Sequence, residues 1–142
     1  SNSWCYENKE ENCEKYGRLY VWTDAANLCP EGWHLPTDEE WIELKNYVSN
    51  NGNEKIGTNL RSIDHWKSGP GTDLFGLALV PSGCYLSTKD SFVRLGERAY
   101  IWSATEFDSD SVSHWTVTGD MEDLLRVTVY KKQARVVRCI RD

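Results

Sequence analysis

The run Cys29-Pro30-Glu31-Gly32-Trp33-His34-Leu35-Pro36-Thr37-Asp38-Glu39-Glu40-Trp41 constrains the chain more tightly than any other stretch. Pro30 has no N–H with which to continue a helix, and Gly32 supplies the permissive backbone of a reversal. A first helix through Ala25, Ala26 and Leu28, capped by Thr23, is therefore expected to end near Cys29. Pro36 stops the short extended piece that follows. Thr37 then caps a second helix, and Glu40 three residues later completes a capping box that satisfies two otherwise orphaned backbone donors. Trp41, Leu44, Lys45 and Val48 recur at helical spacing, which carries this helix to about residue 50, with Gly52 as its terminator.

On either side of this stretch the pattern is different. Residues 1–18 are rich in Asn and Glu and read as a surface loop, and Leu19 to Trp22 open the ordered core. Residues 53–91 are Gly-rich with scattered apolar residues, the composition of a long ordered loop held by its own anchors, here Trp66, Phe75, Leu77, Leu79 and Tyr85. Short strands follow at Ala99 to Thr105, Val112 to Thr118, Leu125 to Tyr130 and Val136 to Ile140. Two early helices, a long loop and late strands predict a single α+β domain over residues 1–142, with a small antiparallel sheet. That arrangement is similar to the C-type lectin-like fold, in which the long loop and the late strands form the ligand surface.

The motif Cys-Pro-x-Gly-Trp-His-Leu-Pro-Thr-x-x-Glu-Trp at residues 29–41 resembles the signature of the Fibrobacter succinogenes major paralogous domain, a family of secreted bacterial modules. Further matching segments are Trp4-Cys5-Tyr6, Asn12 to Tyr20, Gly71-Thr72-Asp73 with Gly76, Trp102 to Glu106, and Val137 to Asp142. The family pattern includes an additional extended segment before the position of Trp4. That segment is missing here, so the expectation is either a piece of a longer secreted protein or an edge covered by another strand. The resemblance implies a secreted bacterial module and brings no catalytic residue with it.

Five cysteines suit an oxidising compartment. Cys5 and Cys13 bracket a polar loop that has no other means of staying ordered. Cys29 and Cys139 would close almost the whole chain, where a cross-link removes most unfolded-state entropy. Loop arithmetic and family resemblance together pair Cys5 with Cys13 and Cys29 with Cys139, leaving Cys84 reduced. Cys84 then reads as a buried small hydrophobe, as half of an intermolecular bridge, or as a nucleophile lacking any readable base. A net charge of −6 with interspersed signs argues against nucleic acid or an anionic membrane as partner. No apolar run is long enough to span a bilayer.

Cofactor and metal chemistry find little support. The vicinal-hydroxyl calcium triplets of sugar-binding lectins are missing, although Glu106, Asp108 and Asp110, and separately Asp120, Glu122 and Asp123, place oxygen ligands close together. His34, His65 and His114 share no ligand spacing, and His34 supports its own turn. Glu39 and Glu40 serve capping and solvation, so no pair of carboxylates suggests glycoside cleavage.

Seven tryptophans exceed what a core of this size needs, and exposed aromatic faces commonly stack on sugars. Period-two alternation from Leu125 sends Leu125, Val127 and Val129 to the core and displays Arg126 and Tyr130. Phe107, Asp108 and Asp110 enter a loop near the same edge, and His114 and Trp115 begin the intervening strand with one of the two facing outward. Phe107, Asp108, Asp110, His114, Trp115, Arg126 and Tyr130 therefore form the expected ligand face. The expected function is an extracellular binding or adhesion module that recognises a glycan or a cell-surface protein without catalysis or cofactor. The alternative is an architectural module with no ligand of its own.

Overall fold

In the computed structural model, which describes residues 3–142, the stretch around Pro30 and Pro36 behaves as its chemistry dictates. Helix α3 (Asp38–Asn51) starts on the capping box: Thr37 Oγ1 accepts from the Glu40 N–H at 3.3 Å, and Glu40 Oε1 accepts from the Thr37 N–H at 3.0 Å. Before it come β1 (Ser3–Trp4), a 3-10 turn (Tyr6–Asn8), α1 (Glu10–Tyr16), β2 (Leu19–Val21), α2 (Trp22–Ala25) and β3 (Trp33–His34). After it come α4 (Ile56–Leu60), β4 (Ser82–Leu86), β5 (Ser91–Leu95), β6 (Arg98–Glu106), β7 (Ser111–Thr118), β8 (Leu125–Tyr130), β9 (Ala134–Arg135) and β10 (Ile140–Arg141).

The expected α+β architecture, two helices with a small antiparallel sheet and a long loop on the C-type lectin-like plan, is not the one that forms. The described residues are mostly β, with ten strands in three antiparallel sheets. The sheets run β1-β2-β9-β4-β5, β6-β7-β8 and β10-β3. Three local outcomes account for the difference. The first expected helix is a single turn, because Trp22 anchors its ring N–H on the Ser103 carbonyl at 2.8 Å and the chain then turns toward the bridge between Cys29 and Cys139. Residues 3–18 supply a strand and a helix. Within the expected long loop, Cys84 pairs with Val93 and Tyr85 with Phe92 in a β4–β5 hairpin. Of the apolar residues that read as loop anchors, Tyr85 belongs to this hairpin, while Trp66, Phe75, Leu77 and Leu79 lie outside it.

The rest of that segment is ordered by contacts it makes with itself. Trp66, buried, donates its ring N–H to Ser62 Oγ at 3.1 Å and to the Leu79 carbonyl at 3.2 Å. A Cβ at Gly71 would overlap the Arg61 backbone, so only glycine lets these two chains lie so close. The main core joins Trp41, Val48, Leu60, Leu79, Ile101, Trp115, Val117 and Leu124, and Trp41 stacks on Trp115 at 6.2 Å between ring centres. A smaller cluster gathers Ala25, Leu35, Trp102 and Val112.

His34 ties the carboxyl-terminal strand to this frame. Its Nδ1 lies 2.6 Å from Asp142 Oδ1 and its Nε2 lies 2.9 Å from Glu40. The bond to Asp142, then that to Glu40, raises the imidazole above its ordinary range. A raised folded value makes the protonated ring the stabilising form. The contribution is complete below about pH 6.5 and is lost as pH rises through the folded value. An NMR titration should place the His34 midpoint above 6.5, with faster amide exchange at Ile140 and Arg141 on its alkaline side. His34→Gln should abolish that pH dependence; a midpoint at or below 6.5 would disprove the coupling.

Candidate functional site

The hairpin between β6 and β7, the end of β8 and the β4–β5 turn meet at one end of the molecule. They form a groove of about 790 Å³ lined by Thr23, Ser87, Thr88, Asp110, Tyr130 and Lys132, together with Val21, Ser109, Lys131 and Gln133. A second cleft of about 330 Å³ adjoins it and shares Tyr130 and Gln133. Tyr130 is 62% exposed and stands between the two.

The floor beneath Tyr130 is rigid. The Trp22 N–H donates to the Lys131 carbonyl at 3.1 Å, and the Lys131 N–H donates to the Asp110 carbonyl at 2.9 Å, clamping the turn that follows β8. Lys131 Nζ lies 4.8 Å from the centre of the Trp22 ring and 2.6 Å from Glu106 Oε2, so its charge is already satisfied. Gln133 Oε1 accepts from buried Arg135 at 2.6 Å, which fixes the amide and leaves its NH2 for the groove. Lys132 is exposed beside it. A flat ring flanked by four hydroxyl side chains, an amide, an ammonium and the Asp110 carboxylate is chemically suited to a polar ligand with hydroxyls and a flat apolar face.

Of the expected ligand face, Tyr130 and Asp110 line this groove. Phe107, 73% exposed, and Asp108 sit at the tip of the β6–β7 hairpin outside it. Asp108 Oδ1 accepts from the N–H groups of Asp110 and Ser111 at 2.8 and 2.9 Å, so this carboxylate shapes the turn.

Three expected positions are elsewhere. Trp115 and His114 are both buried, because β7 is the middle strand of its sheet and is covered on both faces. His114 Nδ1 accepts from Arg135 Nε at 2.7 Å, and burial, aided by that guanidinium, pushes the imidazole down to about 2. Arg126 shares a face with Trp115 and reaches toward α3, where Nη1 lies 3.3 Å from Asp38 Oδ2. The alternation along β8 holds, but the strand is an edge, so its apolar face is only partly covered and Val127 is 41% exposed. Sequence reasoning missed Thr23, Ser87, Thr88, Lys132 and Gln133. The Lys131-Lys132-Gln133 run directly after Tyr130 was the available signal.

Of the six carboxylates in the two acidic groups considered as oxygen ligands, all but Asp110 are engaged with protein. Glu106 meets Lys131, Asp123 meets Lys45 at 2.9 Å, Asp120 accepts from Thr118 at 2.8 Å, and Glu122 accepts from the Thr58 side chain. Among the described residues no group of three or more His, Cys, Asp or Glu is placed to hold a metal ion. The pairings of Cys5 with Cys13 and of Cys29 with Cys139 are present. Cys84 is free and buried, and burial pushes its thiol up.

The family model of the Fibrobacter succinogenes major domain matches residues 1–141. The chain belongs to that family. No curated protein and no solved structure matches it significantly. As a member of the Fibrobacter succinogenes major domain family it carries two disulfides, compatible with an extracellular location, and no described helix is long and apolar enough to cross a membrane.

Proposed function

We propose that this domain is an extracellular binding module of a larger secreted protein, and that it recognises a glycan on a cell or matrix surface through the groove at Tyr130. The observation that supports this reading best is the placement of Tyr130. The ring is exposed, rises between two clefts, and is surrounded by short hydroxyl and amide side chains on a clamped turn. A pyranose offers the complement: an apolar face for the ring and hydroxyls for Thr23, Ser87, Thr88 and Gln133. Binding without catalysis fits the burial of Cys84 and the neutral, hydrogen-bonded state of His114, which leave neither available as nucleophile or base.

Glycan-array screening of the wild-type domain and Tyr130→Ala tests the reading. The variant should lose binding by about tenfold or more while its stability changes by less than about 1 kcal/mol, the usual range for an exposed position. Phe107→Ala should have a smaller effect, because Phe107 lies outside the groove. A ligand whose affinity ignores Tyr130→Ala would move the site elsewhere. Failure to bind any glycan or surface protein would favour the architectural alternative.

A further inference from the structure

On another part of the surface, two neighbouring strands separate and leave backbone unpaired. β2 pairs antiparallel with β9 through Tyr20–Arg135 and Val21–Ala134. Continuing that register would set Arg18 opposite Val137, but the ladder ends at Tyr20 and the chains diverge. Val136 turns its N–H and C=O toward β6, donating to the Tyr100 carbonyl at 3.3 Å and accepting from the Trp102 N–H at 3.1 Å. Alternation along an extended chain turns the N–H and C=O of Val137 the other way, into the gap. Val137, Arg138 and Cys139 neither donate nor accept a hydrogen bond among the described residues, and the main chain of Arg18 makes none either. All three of the first group are partly buried. Backbone withdrawn from water and left unpaired is costly, and it is a template for another strand.

The gap is a crevice of about 330 Å³ with an apolar floor of Leu79, Val80, Ala99 and Ile101. Its two walls are residues 16–18 with Tyr20, and residues 136–139; Leu28, exposed, stands at its side. Two arginines line it. Arg138 has no ion pair or hydrogen bond among the described residues, and burial pulls its pKa down while the charge of Asp73 partly offsets that effect. Arg18 contacts Ser3 Oγ and the sulfurs of Cys5 and Cys13 but no carboxylate. Neither arginine has a carboxylate within ion-pair distance, and Arg138 is in addition partly withdrawn from water, so an anionic group brought into the crevice would complement both.

We infer that this crevice accepts an extended strand from another polypeptide, which adds to the free edge at Val137 to Cys139, lays a small or β-branched apolar side chain on the Leu79–Ile101 floor, and sets a carboxylate against Arg138. Main-chain hydrogen bonds supply the general attraction in such strand addition, and the floor and the arginine supply the choice of sequence. The site is separate from the groove at Tyr130 and does not depend on what that groove binds.

The test uses the full chain, isotope-labelled, and a seven-residue peptide of alternating threonine and valine with a central glutamate, blocked at both ends. Titration to millimolar peptide should shift the amide signals of Arg18, Leu79, Val137 and Arg138, and slow exchange at Val137 by about tenfold or more. The same peptide with a central lysine should bind at least about tenfold more weakly, since like charge replaces complementary charge beside a partly desolvated arginine. Arg138→Gln should remove the difference between the two peptides while retaining the shifts at Val137. A peptide N-methylated along one edge should not bind. Absence of shifts with both peptides, equal binding of the glutamate and lysine forms, or shifts confined to the Tyr130 groove would each overturn the inference.

Discussion

Asp38→Ala is expected to lower stability by about 3–5 kcal/mol, although Asp38 lies at the very start of a surface helix. Its side chain is turned inward and buried. Its carboxylate accepts from Ser103 Oγ at 2.7 Å, Trp115 Nε1 at 2.9 Å, Ser113 Oγ at 3.0 Å and Arg126 Nη1 at 3.3 Å. Its own N–H donates to Thr105 Oγ1 at 2.9 Å, which seats the helix on β6. Removing the acceptor strands three buried donors at once, whereas Arg126, half exposed, can turn to water and contributes little of the loss. Asp38→Asn should cost roughly half as much, since an amide keeps one acceptor and the serine hydroxyls can rotate to accept from its NH2.

The same geometry fixes the acid limb of the stability curve. Burial raises the Asp38 pKa, but the bonds from Trp115, Ser103, Ser113 and Arg126 outweigh it and leave it lowered. Because the folded value lies below the unfolded one, the unfolded chain takes up the proton first. The contribution of Asp38 is complete above about pH 4 and fades as pH falls through the folded value. Urea melts from pH 2 to 7 should therefore show wild type and Asp38→Asn converging at the acid end. A constant difference across that range, or a loss under 1 kcal/mol for the alanine variant at pH 7, would mean that the network is hydrated and weak.

The second large effect belongs to the bridge between Cys29 and Cys139, which spans 110 residues. In the chain-entropy account a loop of that length limits the unfolded ensemble by about 5 kcal/mol, against about 2.5 for the eight-residue separation of Cys5 and Cys13. Replacing both Cys29 and Cys139 with alanine should lower Tm by about 10–15 °C, and replacing Cys5 and Cys13 by about half as much. The longer bridge also pins the turn after α2 to the chain just before β10, so its loss should loosen the β10–β3 pair as well. Calorimetry of the two double variants discriminates between them. Equal losses, or a larger loss for the shorter loop, would show that native contacts rather than loop closure set the value of these cross-links.

How far the sequence reaches differs from element to element. The start of α3 was readable because Thr37 and Glu40 act within one turn, and Leu125 to Tyr130 was readable because period-two alternation needs no knowledge of the partner strand. Tyr130 was brought to the candidate groove by that same alternation, and Asp110 by its place in the loop after Glu106. The hairpin at Cys84 and Val93 was missed because each strand is five residues long and its apolar residues are explained by pairing, which a single segment does not display. His114 and Trp115 were misplaced for a related reason: alternation assigns them to opposite faces, but not whether either face is open. Only the arrival of α3 on one side and of Arg135 on the other buries both.

Local chemistry, then, was enough to set the capping box of α3, the turn after Pro30 and three of the four late strands, since each acts over a few residues. The cysteine pairing drew on family resemblance as well as loop arithmetic, Thr23 caps no helix, and Val136 to Ile140 forms a strand only at its end. Sheet order, the covering of β7, the reach of Arg126 to Asp38 and the meeting of three separate turns around Tyr130 arise from contacts between residues far apart in the chain. Those contacts are selected by which faces can be buried together, and that choice exists only once the whole chain has packed.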